Sequence, residues 1–141
     1  MKLTGGCICG AVRYSVETPS ELHYLCHCRD CQKHGGSAWH SAIVVAADDF
    51  EPTGETEMGF VKAESGRTIA RHGCPVCHAH LWVTPWPIAE RLSLKAGSLD
   101  DPSVFHPRFE IWTQSRVPWA PAFPDMISFE KGFIGELPKW R

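Results

Sequence analysis

The sequence predicts an all-β protein, mainly antiparallel, with minor helical turns. Three observations predict it. Apolar residues alternate with polar ones over short stretches. Turn-forming dipeptides recur at short intervals, at Thr53–Gly54, Ser65–Gly66, Gly97–Ser98, Asp101–Pro102 and Lys131–Gly132. A 3.6-residue apolar period is nearly absent, and 12 glycines with 11 prolines leave little room for long helices. Taken in order, residues 11–16 alternate, with Val12, Tyr14 and Val16 on one face. Residues 41–47 hold the β-branched run Ile43, Val44, Val45, bounded by two aspartates, as a buried strand does. Residues 67–72 form a weaker strand before Gly73, and residues 79–84 another that stops at Pro85. Leu92, Leu94 and Ala96 alternate with Ser93 and Lys95, and Phe109 and Ile111 with Glu110 and Trp112. Residues 28–34 predict a helical turn, and residues 117–141 a loop packed over the core.

At 141 residues the chain is expected to form a single domain, residues 1–141, with enough apolar content (43%) for a real core. Lysine and arginine number 14 against 16 acidic residues, a formal charge of −2, which argues against non-specific binding to nucleic acid. No apolar run has the length of a membrane span and the first ten residues lack an apolar signal core, so a cytoplasmic address is expected, with no membrane partner.

Seven cysteines carry most of the chemistry. Cys7 and Cys9 form a Cys-x-Cys, Cys26, Cys28 and Cys31 a Cys-x-Cys-x-x-Cys, and Cys74 and Cys77 a Cys-x-x-Cys. Seven is odd, so disulfides cannot use them all, and a lone thioredoxin-type motif would need a βαβ context that is missing. One isolated cysteine reads best as a small buried hydrophobe. Three tight groups read as metal ligands, because the Cys-x-x-Cys spacing lets two thiolates converge on one cation. Two partitions make physical sense. In one, Cys7, Cys9, Cys74 and Cys77 close a tetrahedral site, and Cys26, Cys28 and Cys31 leave a fourth position open. In the other, Cys28, Cys31, Cys74 and Cys77 make a zinc ribbon and strand the remaining three. The first keeps each local group intact and is preferred. His27, between two ligands, is expected to point away from the metal. His34, His40, His72, His78 and His80 lie near the cysteine groups and read as core or supporting histidines before ligands. Trp39, Trp82, Trp86, Trp112 and Trp119 are expected to wall the core and a pocket mouth.

The ordered pieces Gly5-Gly6-Cys7-Ile8-Cys9-Gly10, Cys26-His27-Cys28-Arg29-Asp30-Cys31-Gln32-Lys33, Gly73-Cys74-Pro75-Val76-Cys77, Ala96-Gly97-Ser98-Leu99-Asp100-Asp101-Pro102 and Phe105-His106-Pro107 give the chain a resemblance over about residues 3–120. It resembles the glutathione-dependent formaldehyde-activating (GFA) family, whose domain also occurs in a centromere protein. The resemblance implies an Mss4-like, or β-tent, arrangement of antiparallel sheets around zinc. It implies structural zinc on Cys7, Cys9, Cys74 and Cys77 and catalytic zinc on Cys26, Cys28 and Cys31, up to two ions per chain. The family often has glycine where His78 stands, and a positive φ there would make histidine the costlier occupant.

Three thiolates and one Zn2+ sum to −1. Such an ion is a weak Lewis acid, yet it can take a fourth thiolate and lower that thiol's pKa from about 8.5. A thiolate so held can attack an aldehyde carbon. This agrees with the activity the resemblance implies: a carbon–sulfur lyase interconverting formaldehyde plus glutathione with S-hydroxymethylglutathione. Arg29 and Lys33 are candidates to meet a carboxylate of the thiol co-substrate. The alternative is a non-enzymatic zinc-binding interaction module of the Mss4-like type.

Overall fold

The β-branched run at residues 43–45 is buried throughout, with Ile43 and Val45 fully buried and Val44 nearly so. A strand with both faces covered needs apolar residues at successive positions, and this one has them. The computed structural model describes residues 2–17, 19–87 and 90–133. Its strands are β1 (Leu3–Gly6), β2 (Arg13–Val16), β3 (His23–Cys26), β4 (His40–Ala46), β5 (Phe50–Thr53), β6 (Glu57–Lys62), β7 (Thr68–Gly73), β8 (His80–Pro85), β9 (Arg91–Lys95), β10 (Phe109–Ile111) and β11 (Ile127–Ser128). The one α-helix among the described residues, α1, spans Arg29–Gly35.

Two sheets result: β1-β2-β5, and an eight-stranded sheet ordered β11-β10-β3-β4-β9-β8-β7-β6. Pairing is antiparallel except at β10, which runs parallel to β3 and to β11. The predicted all-β, mainly antiparallel class is the observed one. The small sheet packs on one face of the large one: Leu3, Val12, Tyr14 and Val16 share a core with Ile43, Val45, Leu81, Trp82, Leu92 and Leu94. The opposite face carries a second cluster of Tyr24, Cys26, Cys28, Ala42, Val44, Phe109 and Ile111, against which Trp112, Phe129 and Phe133 pack. Strand period two therefore divides β4 between two jobs, with Ile43 and Val45 in the first core and Ala42 and Val44 in the second.

Strands were expected at residues 11–16, 41–47, 67–72, 79–84, around 92–96 and around 109–112, and a strand lies at each place with ends shifted by a residue or two. The predicted helical turn is α1. The sequence reading missed β1, β3, β5 and β6. β1 alternates between buried and exposed, but two glycines end it, so the sequence does not write that alternation in apolar residues, and β6 is exposed along its whole length and has no such alternation to show. The supposed turn at Gly97–Ser98 is the end of a 3-10 turn, Ala96–Ser98. The tail read as loop contains β11 and packs Phe129 and Phe133 on the second core, while its end past residue 133 lies outside the described residues. Trp82 is core, whereas Trp86 (50% exposed) and Trp119 (72%) are not, a correction to their expected burial. No described helix is long and apolar enough to cross a membrane.

Gly5 shows how tightly β1 packs against its neighbour β2 and the turn that follows β9. It bridges to Leu99, and a Cβ there would overlap the Tyr14 hydroxyl and the Ser98 carbonyl oxygen. The Tyr14 hydroxyl and Ser98 Oγ share a 2.7 Å hydrogen bond, so neither wall yields freely. Gly5→Ala is expected to destabilise the fold by about 1–3 kcal/mol, as overpacking does. Thermal melting tests this, and an unchanged midpoint would show that the wall is softer than the geometry implies.

Candidate metal centres

Cys7 and Cys9 follow β1 in a turn closed by the Cys7 N–H donating to the Val12 carbonyl at 3.0 Å. Gly10, at φ 80°, supplies the left-handed residue that this reversal needs. The Val12 N–H donates to Cys7 Sγ at 3.2 Å. Cys74 and Cys77 follow β7 in a similar knuckle, where the Val76 and Cys77 N–H groups donate to Cys74 Sγ at 3.4 and 3.5 Å. His78, just past that knuckle, has φ 59°, so the backbone does require the left-handed conformation there. Histidine tolerates it better than most residues with a side chain. Its Nδ1 lies 2.9 Å from Glu57 Oε1 on β6.

The four sulfurs of Cys7, Cys9, Cys74 and Cys77 lie within 4.8 Å of one another. Cys7 to Cys9 is 3.6 Å and Cys9 to Cys74 is 3.7 Å. A tetrahedral site with Zn–S bonds of about 2.3 Å has edges of about 3.8 Å. Four thiolates at that spacing form a donor set that fits a zinc ion.

The second cluster grows from the end of β3 into α1. Cys26 ends the strand, and Cys28 caps the helix, its Sγ accepting from the Cys31 N–H at 3.3 Å. The sulfurs of Cys26, Cys28 and Cys31 also lie within 4.8 Å of one another. Contacts with Cys26 and Cys31 hold the Cys28 thiol well below its usual pKa, and contacts with Cys28 and Cys31, with burial, push Cys26 well above. Three sulfurs this close do not ionise together without a cation to join them, which again fits a metal.

His27 turns away from this cluster, as its position between ligands suggested. Fully buried, its Nε2 lies 3.0 Å from Glu110 Oε1. Glu110 also accepts from Arg116 at 2.7 Å and Ser128 at 2.6 Å. Burial works against the Glu110 carboxylate, but Ser128, His27 and Arg116 hold it below the usual range. Gln32 Nε2 donates to the carbonyls of His27 at 2.7 Å and Ser115 at 2.9 Å. The ligand-bearing loop is therefore clamped from behind.

In front of it lies a cavity of about 760 Å³, lined by the three cysteines, Tyr24, His40, Ile111, Trp112 and Phe133, and by the cations Arg67, Arg71, Arg91 and Lys131, with Asp30 and Glu64 as acids. The site face follows from register: Arg71 pairs with Val83, Val83 with Ser93, and Ser93 with Val44 of the second core. Lys95, two residues on from Ser93, is on that face too. Burial pushes its ammonium down to about 8, while the Cys31, Cys26 and Cys28 sulfurs act the other way. Arg29 is exposed and donates to Gln32 Oε1. Lys33, also exposed, lines a neighbouring groove of about 670 Å³ with His34 and His80, whose rings are 3.9 Å apart. The sequence reading passed over Arg67, Arg71, Arg91, Lys131 and Lys95. The signal was there in part, since Lys95 stood on the polar side of the Leu92–Leu94 alternation, and that polar side faces the cavity.

Fold and site together define a mainly antiparallel β protein with two cysteine clusters, one of four sulfurs and one of three that opens on a cation-lined cavity. The chain belongs to the glutathione-dependent formaldehyde-activating enzyme family, whose model matches residues 2–115. A protein of Halomonas elongata, provisionally named a glutathione-dependent formaldehyde-activating enzyme, is 35% identical over 94 residues, 62% of this chain and 60% of the relative. The alignment thus spans about three-fifths of that relative's length.

Metal on the four-sulfur cluster would add its binding energy to folding, roughly 10 kcal/mol or more in zinc peptides at neutral pH. Cys74→Ser is therefore expected to collapse the cooperative melting transition. Cys28→Ser is expected to leave a folded chain that carries one metal ion fewer by elemental analysis. The reverse pattern would exchange the roles of the two clusters.

Proposed function

We propose that the protein is a zinc-dependent carbon–sulfur lyase that forms or cleaves S-hydroxymethylglutathione or a related thiol–aldehyde adduct. In this reading Cys7, Cys9, Cys74 and Cys77 hold a structural zinc, and Cys26, Cys28 and Cys31 hold a catalytic one. The observation that carries the reading is the opening of a three-sulfur cluster onto a large cavity walled by cations. Four sulfur ligands complete a tetrahedron, whereas three leave room for a substrate atom. Zinc bound there would supply the charge that keeps an incoming thiol deprotonated at neutral pH.

The chain's own residues do the rest. A fourth thiolate beside three others raises the local charge to −2 with zinc present, and such a charge in a half-enclosed cavity needs cations nearby. Lys95 and Arg71 provide them, since both act electrostatically on the cysteine sulfurs. Arg67, Arg71, Arg91 and Lys131 suit a thiol that carries carboxylates, as glutathione does, because guanidinium groups pair with carboxylates in a fixed fork geometry. Arg29 and Lys33, the first candidates for that role, sit on α1 beside this wall. Ile111, Trp112 and Phe133 make the cavity partly apolar, which favours a sulfur nucleophile and a small carbonyl over bulk water. The sulfur lone pair attacks the aldehyde carbon, the C=O π pair moves to oxygen, and that oxygen takes a proton from water. The thiol's own proton went to water on binding, so the step balances, and its reverse breaks the same C–S bond.

Titrating glutathione into cobalt-substituted protein is expected to perturb the cobalt–thiolate absorption, and Cys28→Ser is expected to abolish that response. By NMR exchange spectroscopy, wild type is expected to exchange free and adducted formaldehyde faster than Cys28→Ser at equal concentration. Equal rates in wild type, variant and buffer would exclude the lyase and leave the interaction-module alternative. Arg71→Met is expected to weaken glutathione binding by about tenfold or more, the loss of one charge-assisted contact.

A further inference from the structure

His40 opens β4 directly opposite Cys26 in the β3–β4 register. Facing residues of adjacent strands project to the same side of a sheet, so the imidazole and the Cys26 thiol share one wall of the cavity. His40 is only 4% exposed, and neither ring nitrogen has a hydrogen-bond partner. The Tyr24 ring meets it edge-on at 5.9 Å between centroids, a contact that fixes the ring without satisfying its nitrogens. Buried imidazoles are almost always hydrogen-bonded, so an orphaned one facing a substrate-sized cavity marks where a ligand's polar atom goes.

One role is excluded by the same geometry. His40 is not a fourth metal ligand, because it does not join Cys26, Cys28 and Cys31 within the 4.8 Å that would let all four share an ion. A neutral imidazole has one N–H to donate and one lone pair to accept with.

We propose that His40 is the oxygen-binding group of the site: its ring N–H donates a hydrogen bond to the aldehyde oxygen and holds it as negative charge develops there. The proposal rests on the lyase reading and extends it to a residue outside the cysteine clusters. As the thiolate sulfur forms its bond to carbon, the C=O π pair collects on oxygen, and the His40 N–H stabilises that charge without giving up its proton. The hydroxyl proton comes from water. Donors placed at such a developing oxyanion typically contribute about 10²–10³-fold in rate. The donor also selects ligands, since it rewards an adduct that carries a hydroxyl over a plain thioether of the same thiol.

The test uses the full-length, zinc-loaded protein with 15N-labelled histidine. The His40 ring nitrogens are assigned by their disappearance in His40→Gln, then followed on adding glutathione alone and glutathione with formaldehyde. The expected result is a downfield shift of the His40 N–H only when formaldehyde joins glutathione. In parallel, His40→Phe is expected to slow formaldehyde exchange about 10²-fold, with glutathione affinity unchanged. His40→Gln, which keeps an N–H donor, is expected to recover part of the rate. If glutathione leaves the cobalt–thiolate spectrum untouched, the lyase reading falls and this proposal with it. If glutathione binds and wild type accelerates exchange, yet the His40 nitrogens ignore formaldehyde or His40→Phe exchanges like wild type, this proposal alone is overturned. Should His40→Phe fail to fold, the wild-type spectra and the Gln variant decide the question.

Discussion

The convergence of four sulfurs from two sheets is the constraint on which the rest of the structure depends. Cys7 and Cys9 follow β1 in the small sheet, and Cys74 and Cys77 follow β7 in the large one. Closing a loop of that length costs conformational entropy that grows with its logarithm, and a metal cross-link there would offset it in one place. The closure presses Leu3, Val12, Tyr14 and Val16 onto Ile43, Val45, Leu92 and Leu94. With one face of the large sheet so occupied, period-two alternation commits the other face to the three-sulfur cluster and its cavity. A one-residue slip in β7 or β9 would turn Arg71 and Lys95 into the core and their apolar neighbours into the cavity.

That second face carries an electrostatic tension. Cysteine sulfurs crowd one end, while Arg67, Arg71, Arg91 and Lys131 line the space before them and Lys95 is half-buried on the same face. Either sign alone would be costly in so enclosed a place. Together they lower each other's cost. Behind the cluster, the His27–Glu110–Arg116–Ser128 network and the Gln32 amide fix the loop from which Cys26, Cys28 and Cys31 project. Support of this kind sets the direction of the ligand atoms, much as outer partners do in metal sites generally.

The cysteine clusters were fully legible in the sequence, because ligand spacing is local and chemically distinctive. The grouping reached by keeping each cluster intact is the grouping the sulfurs adopt. Strands with one or two buried faces were legible through their alternation. β6 was not, since all six of its residues are exposed and its place depends only on pairing with β7. The cations of the cavity were only faintly legible, for a different reason. Each is an ordinary surface-type residue in sequence, and only the register across β7, β8 and β9 brings Arg71 and Lys95 to the face that holds Cys26. His40 was noted beside the cysteines but read as a core or supporting histidine. Its missing partners are a property of the packed structure, and no sequence pattern reports them.

The family match ends at residue 115, while the cavity does not. Every cysteine, His40, Arg71 and Lys95 lie within the matched part. Lys131, Gly132 and Phe133, which complete the wall, lie beyond it. They are held in place by β11 running parallel to β10, by the Trp112 N–H donating to the Lys131 carbonyl at 2.8 Å, and by Thr113 Oγ1 donating to the Phe129 carbonyl at 3.1 Å. Trp112 itself sits at φ 58°, a conformation that tryptophan rarely adopts and that the tail's hydrogen bonds maintain. The cysteines, His40, Arg71 and Lys95 thus stand within the residues that the family model matches, and one wall is supplied by residues beyond the match. In the proposed reading, changes in that wall would alter which thiol is admitted without disturbing the sulfurs, which is how sites grafted on a common fold diverge in substrate while keeping their chemistry.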